Sequence, residues 1–274
     1  GTRIHLPERY AKTRRMNPAI ALSRGFQAEV YKFRRTFLFW FLILAPGFVP
    51  AINLIIFLKR GRQIVEAGTN AWPHLLQMSI EPGNMLFPFF VMIVALFVNS
   101  IETTSNTWKL IYTQPLSRLT VYLSKVLVFI LMLFVSLSLF GIFSIGVGWL
   151  VDIFMPDLGF DQAFKTQQFF LVPTRIYLMT LGYASLQFLI SQQSKNLILP
   201  LGIGIGGLIS FLILAQGWEY VEYHPYGFQL LGIGDYADLD ASFWAQSKFM
   251  IRSLGLALVT FSVGAWLMWR KRIV

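Results

Sequence analysis

At 274 residues, 55% of them hydrophobic and only 13% charged, the chain carries about half the charge density of a soluble domain. No water-soluble globule of this size needs so much apolar surface, and no polar stretch is long enough to bury a core of its own, so one membrane domain is expected. The absence of cysteine excludes a disulfide framework, a thiolate metal site and a cysteine nucleophile.

The chain opens on a polar tail, residues 1–18, in which Arg3, Glu8, Arg9, Lys12, Arg14 and Arg15 mix with few apolar residues. That is neither a signal peptide nor a span; a natural start at Met16, after a tag remnant or a mis-called start, is the expectation. Over residues 19–36, Leu22, Phe26, Val30, Phe33 and Phe37 recur at steps of three and four, on one helical face. Arg24, Gln27, Lys32 and Arg35 fall elsewhere on the circumference. The pattern describes a basic amphipathic helix lying in the interface as an elbow into the membrane, or else a charged flank that only sets topology.

Six segments are apolar and long enough to cross about 30 Å of hydrocarbon as helices: 37–58, 82–101, 126–151, 169–190, 197–215 and 249–269. With both ends on one side, that side collects sixteen Lys and Arg against three acids, and the other seven against ten. Basic residues gather in short cytoplasmic loops, so both termini are expected inside. The formal charge of +10 is therefore a topology signal and excludes nucleic acid as a partner. Lys59, Arg60 and Arg62, on the outer side, are the one dissent.

Between the second and third spans lies IETTSNTWKLIYTQPLSRLTVYLSK, residues 101–125, too polar to cross and too patterned for a floppy loop. Thr103 and Thr104 can cap a short helix, Trp108, Leu110, Ile111 and Tyr112 give it an apolar surface, and Pro115 stops it. Ser117 can then cap the helix that climbs through Tyr122 and Lys125 into the third span. On the residues alone, an ordinary structured loop and a docking helix are equally good readings.

With these residues in view, the chain resembles the permease subunits of type 2 ABC transporters, in the branch of bacitracin-export and lantibiotic-protection permeases. The features that carry the resemblance are the basic amphipathic helix, Glu102 at the cytoplasmic end of the second span, Trp108-Lys109-Leu110, Pro115-Leu116-Ser117-Arg118, and Tyr122-Leu123-Ser124-Lys125. Ser105-Asn106-Thr107 departs from it where such permeases often place a glycine. The resemblance implies an all-α membrane fold with six spans, forming one domain over 37–274. It implies that Glu102, Thr107, Trp108, Lys109, Pro115, Ser117, Arg118 and Lys125 belong to a coupling element seated on a separate ATPase dimer. Phe26, Glu29, Lys32, Arg34 and Arg35 of the elbow helix would flank the same ATPase. A second membrane subunit, a copy or a paralogue, would complete the path, and the setting would be a bacterial cytoplasmic membrane. The chain itself would be non-catalytic and hold no cofactor, with ATP and Mg on the partner. An ABC-like scaffold that works on an envelope assembly without carrying a solute is the alternative.

The remaining motifs fit this division of labour. No G-x-x-x-x-G-K-[ST] is present, so nucleotide phosphates have no loop of that kind to cradle them. Gly202, Gly204 and Gly207 match G-x-G-x-x-G, but inside an apolar span; there Gly202, Gly206 and Ser210 read as a small-residue stripe for helix packing. His5, His74 and His224 are isolated, without a second metal ligand at helical spacing. Arg175 and Arg252, both near the outer boundary, are expected to snorkel outward rather than touch substrate, with Glu219 or Glu222 as a partner. The aromatic-rich stretch from Gly217 to Ser247 reads as short re-entrant or interfacial helices, or as a gate on the exit path. Pro46 and Pro50 of the first span serve as packing kinks or as a flexible element.

Overall fold

The computed structural model describes residues 17–34, 36–66, 68–104, 117–162, 168–194, 196–233, 244 and 247–270. Helix α1, Pro18–Phe33, starts where the Asn17 side chain accepts a hydrogen bond from the Ala19 amide at 3.0 Å and proline occupies the first turn. Then follow α2, Phe37–Ile64, α3, Trp72–Thr104, and α4, Arg118–Phe154. A 3₁₀ turn, Pro156–Leu158, precedes α5, Gln168–Gln193, and α6, Ile198–Leu214. Two further 3₁₀ turns, Val221–Tyr223 and Pro225–Gly227, lead into the short α7, Phe228–Gly232, and the chain closes on α8, Ser247–Arg270.

Helix is what an apolar solvent demands, because every backbone amide and carbonyl must find its partner inside the segment. Thus α2 runs through Pro46 and Pro50, and α3 through Pro82 and Pro88, without breaking. Hydroxyls are satisfied in the same way: Ser144 donates to the Phe140 carbonyl at 2.8 Å and Ser138 to that of Phe134 at 2.9 Å, each one turn back.

Five helices, α2, α3, α4, α5 and α8, are long and apolar enough to cross a membrane. The segment expected to be another crossing, 197–215, is the 17-residue helix α6. The helices also overrun the expected spans: α3 begins at Trp72 rather than near 82, while α4 begins at Arg118, directly after the Ser117 cap expected from the sequence and ahead of the span at 126. Hydropathy registers the stretch suited to hydrocarbon, whereas the hydrogen-bond ladder continues into the polar interface.

The interior is built mainly by α3, α4 and α5, with Phe129, Leu133, Met92, Val94, Tyr183 and Phe188 almost wholly buried. Helices α5 and α8 meet at Gly182, where a Cβ would lie 3.0 Å from the Ser253 Cα, so a larger residue there would push the two backbones apart. Around this core the surface is apolar: Trp40, Trp149, Ile198, Leu258 and Trp269 are each more than half exposed. Contiguous apolar surface on this scale belongs against lipid or another protein, not water.

One sequence expectation needs rotating. The stripe of α1 buried against the bundle is Ala21, Gly25, Glu29 and Phe33, while Val30 is 44% exposed and Leu22 and Phe26 sit at the edge. A helix in an interface has two apolar neighbours, protein and lipid, and small residues give the closest protein contact, so the large ones are left for lipid.

Candidate coupling site and transport path

The first turns of α4 are held on three sides. Ser117 caps the helix, its hydroxyl oxygen accepting from the Thr120 amide at 3.1 Å. One flank packs on α1: a Cβ on Gly25 would collide with the Ser124 hydroxyl, which lies 3.5 Å from the Leu22 carbonyl oxygen. On the opposite flank Tyr122 donates from its hydroxyl to the Phe261 carbonyl of α8 at 2.8 Å, beside Gly264. Its ring also meets Phe188 of α5 edge-on at 6.1 Å between centroids. Residues 117–125 thus tie α1, α5 and α8 into one packed body, and close-packed interfaces pass displacement on rather than absorb it.

The sequence-selected residues distribute around that body. Ser117 is the cap, Arg118 the first residue of α4, and Lys125, two turns in, is 6% exposed. In α1, Glu29 is buried and receives the Lys32 ammonium at 2.6 Å, with Phe26 at the edge and Arg34 exposed on the turn toward α2. Glu102 belongs to the last turn of α3; Thr107, Trp108, Lys109, Pro115 and Arg35 lie outside the described residues.

Gly202 and Gly206 face open space, with nothing within 4 Å of the Cβ each would carry. The close approaches of α6 are made by Gly204, against Gln187 and Met92, and Gly207, against Tyr226. Ser210 donates to the Gly207 carbonyl at 2.8 Å and lies 3.1 Å from His224 Nε2. Within this chain the packing face is therefore a neighbouring one on the same helix. Arg175 likewise turns inward: it is 7% exposed, where snorkelling would leave it open.

At the far end from α1, residues 225–233 enter the bundle. Tyr226, Phe228, Gln229 and Ile233 are buried. Gln229 Nε2 donates to the backbone oxygen and the Oδ1 of Asn84, at 2.9 and 2.5 Å. Its Oε1 accepts from the Tyr183 hydroxyl at 2.9 Å and lies 2.9 Å from the Thr180 hydroxyl, which shares its one proton with the Ile176 carbonyl. Tyr226 donates to Gln187 Oε1 at 3.2 Å, and Gln187 Nε2 to the Pro200 carbonyl at 2.6 Å. This network joins α3, α5, α6 and α7 and was not selected from sequence. Lone amides inside apolar spans, Asn84 and Gln187, are the signal that marks it.

Just outside it, Glu222 accepts from Lys248 at 2.6 Å and from Arg252 at 3.1 Å, and the Arg252 guanidinium stacks 4.2 Å over Tyr223. Of the two acids expected beside Arg252, Glu222 is the partner. Those hydrogen bonds, first Lys248 and then Arg252, hold its carboxyl below the usual range. Arg62, one of the cations that dissent from the expected charge placement, pairs with Asp157 at 2.9 Å and lowers that carboxyl in the same way. His224, set between Phe211 and Tyr226, is pushed down by burial.

A second feature opens sideways: a cavity of about 440 Å³ among α2, α3 and α4, walled almost wholly by apolar and aromatic side chains. Among the described residues no His, Asp and Glu side chains gather into a cluster that could hold a metal ion.

An all-helical bundle with five membrane-length helices and an apolar girdle defines a multi-pass membrane protein. The chain belongs to the ABC-2 family of transporter proteins, whose family pattern matches residues 26–211, from within α1 to near the end of α6. No curated protein and no solved structure matches it. Membership makes the chain a membrane permease subunit of an ABC transporter, and it implies an ABC ATPase as partner.

Proposed function

We propose that the chain is the six-span permease of an ATP-driven exporter, of the bacitracin-export and lantibiotic-protection kind. It would lie in a bacterial cytoplasmic membrane with both termini inside. A dimeric ATPase holding ATP and Mg docks on residues 101–118, flanked by the α1 elbow, and a second membrane subunit completes the path. The substrate is an amphipathic or peptide-like molecule.

The observation that carries this reading is the three-sided packing of residues 117–125. A push on the segment just before Ser117 reaches α1 through Gly25 and Ser124 and α8 through Tyr122 and Phe261. Rigid-body transmission of that kind is what alternating access needs. For the sixth crossing, the 17 residues of α6 reach about 25 Å, short of the roughly 30 Å of hydrocarbon. Leu197 and the turn at 215–217 extend it. Gly202 and Gly206 offer the second membrane subunit a small-residue face.

Co-expression with an ABC ATPase subunit tests the proposal. A stable complex is expected, lost on Trp108→Ala, Pro115→Ala or Arg118→Glu. A permease that stays monodisperse alone and binds no ATPase under any nucleotide condition contradicts it. Stimulated hydrolysis without measurable flux, with envelope proteins co-purifying, would replace export by the scaffold role.

A further inference from the structure

We infer that the cavity among α2, α3 and α4 is a binding site for the single hydrocarbon chain of an anionic amphiphile entering sideways from the bilayer. Its size fits a small ligand: about 440 Å³, within the usual range of small-molecule pockets.

Its floor is a ladder of rings. Phe41 stacks on Phe90 at 5.2 Å and Phe90 on Phe87 at 5.6 Å, giving a flat wall against which methylene groups pack. The mouth is formed by Leu44 and Phe48, 67% and 58% exposed, so the opening faces whatever surrounds the bundle at that depth. At membrane depth that surrounding is acyl chain or the second membrane subunit.

Among the described residues no charged side chain lines the cavity, and Asn84 and Ser136 are its polar members. Asn84 presents its two oxygens to Gln229 rather than to the cavity. A polar headgroup therefore has no place inside, and only the tail enters. The complementary charge lies at the α1 end: Arg34 is exposed on the turn before α2, three residues ahead of Phe37, and Phe41 lies about one turn further along α2, so their Cα atoms are at most about 17 Å apart. A headgroup carrying negative charge at that level leaves its chain within reach of Phe41. Size, neutrality and the cation at one end fit a single anionic alkyl chain, and the experiment separates it from a second copy of the protein.

The proposal narrows the exported amphiphile to a chemical class, and it rests on the permease reading for that role, but binding itself needs no ATPase. The test uses the full chain alone in phosphatidylcholine nanodiscs, with palmitate bearing a chain-borne diazirine as the probe. Photolabelling should concentrate on residues 41–49 and 83–93 over the exposed faces of α6 and α8. Leu44→Trp with Leu86→Trp, which fill the mouth from exposed positions, should cut that labelling about tenfold, a loss on the scale of one well-made contact. Ile209→Trp on the exposed face of α6 should leave it unchanged. Arg34→Glu should weaken labelling by palmitate and not by the corresponding alkylamine. Labelling spread evenly over all exposed helices, or indifferent to the mouth variants, overturns the proposal. So does efficient disulfide formation between two chains carrying Leu44→Cys, which would make the occupant a second copy. Failure here with an intact ATPase complex refutes the chain site alone; loss of the ATPase complex with labelling intact refutes the coupling reading alone.

Discussion

Gln229 and Asn84 lie 145 residues apart in sequence, yet the Gln229 amide forks onto both oxygens of Asn84, at 2.9 Å and 2.5 Å. That contact moors the far-end segment to the middle of α3. In a low-dielectric interior a satisfied amide is secure, and an orphaned one is costly.

Replacing Gln229 with Leu should therefore destabilise the bundle by about 2 kcal/mol, by leaving Asn84 and Tyr183 without their partner in hydrocarbon. Tyr183→Phe removes one donor and leaves Gln229 its other contacts, so it should cost about half as much. Thermal unfolding in detergent checks the order; equal stability of all three proteins would show the network to be inert.

Gly25 and Ser124 make a second testable pair. Gly25→Ala should lower stability or loosen α1, because its new Cβ meets the Ser124 hydroxyl. Adding Ser124→Gly should restore it, since the obstacle is that side chain and not backbone. Protease protection of α1 in the single and double variants is the readout.

Gly182→Ala should behave differently. Its Cβ would meet Ser253 backbone, at 3.0 Å from Cα and 3.1 Å from the carbonyl oxygen, so no second substitution at Ser253 relieves it. A loss of about 1–3 kcal/mol is expected, as for other overpacked contacts. Unfolding of Gly182→Ala with and without Ser253→Ala measures this.

Burial lowers the His224 pKa below the ordinary value of about 6.5. A depressed imidazole gives stability that is fully present above the unfolded-state value and is lost as pH falls through the window beneath it. The wild type should thus lose melting temperature from pH 7 to pH 5.5, and His224→Gln should lose less. Glu222 acts in a lower window: its depressed carboxyl stabilises above about pH 4.3 and fails only below that, so it leaves the His224 range untouched.

Much of the membrane architecture is legible in the sequence because hydropathy reports burial in lipid directly, and the Ser117 cap is legible because it is local. What escapes has physical reasons. The buried stripe of α1, Ala21, Gly25, Glu29 and Phe33, carries almost no hydrophobic signal, being small or charged at three of four positions. In α6 every face is apolar, so the glycine spacing does not reveal that Gly204 and Gly207 face the bundle while Gly202 and Gly206 face out. The Gln229 network depends on distant pairings no periodicity encodes, and only the misplaced amides Asn84 and Gln187 hint at it. The coupling residues Thr107, Trp108, Lys109 and Pro115 stand on the sequence resemblance.

The central claim is that a separate ATPase drives this permease through residues 101–118. Because the chain has no cysteine, a single Trp108→Cys gives a unique attachment point. Bifunctional crosslinking of that variant in membranes, with a co-expressed ABC ATPase, tests the claim most directly. The account predicts a crosslink to the ATPase from position 108 that changes with nucleotide, and none from Ile153→Cys at the opposite end of α4. Equal yields from both positions, or none from position 108 in a functional pair, would contradict it.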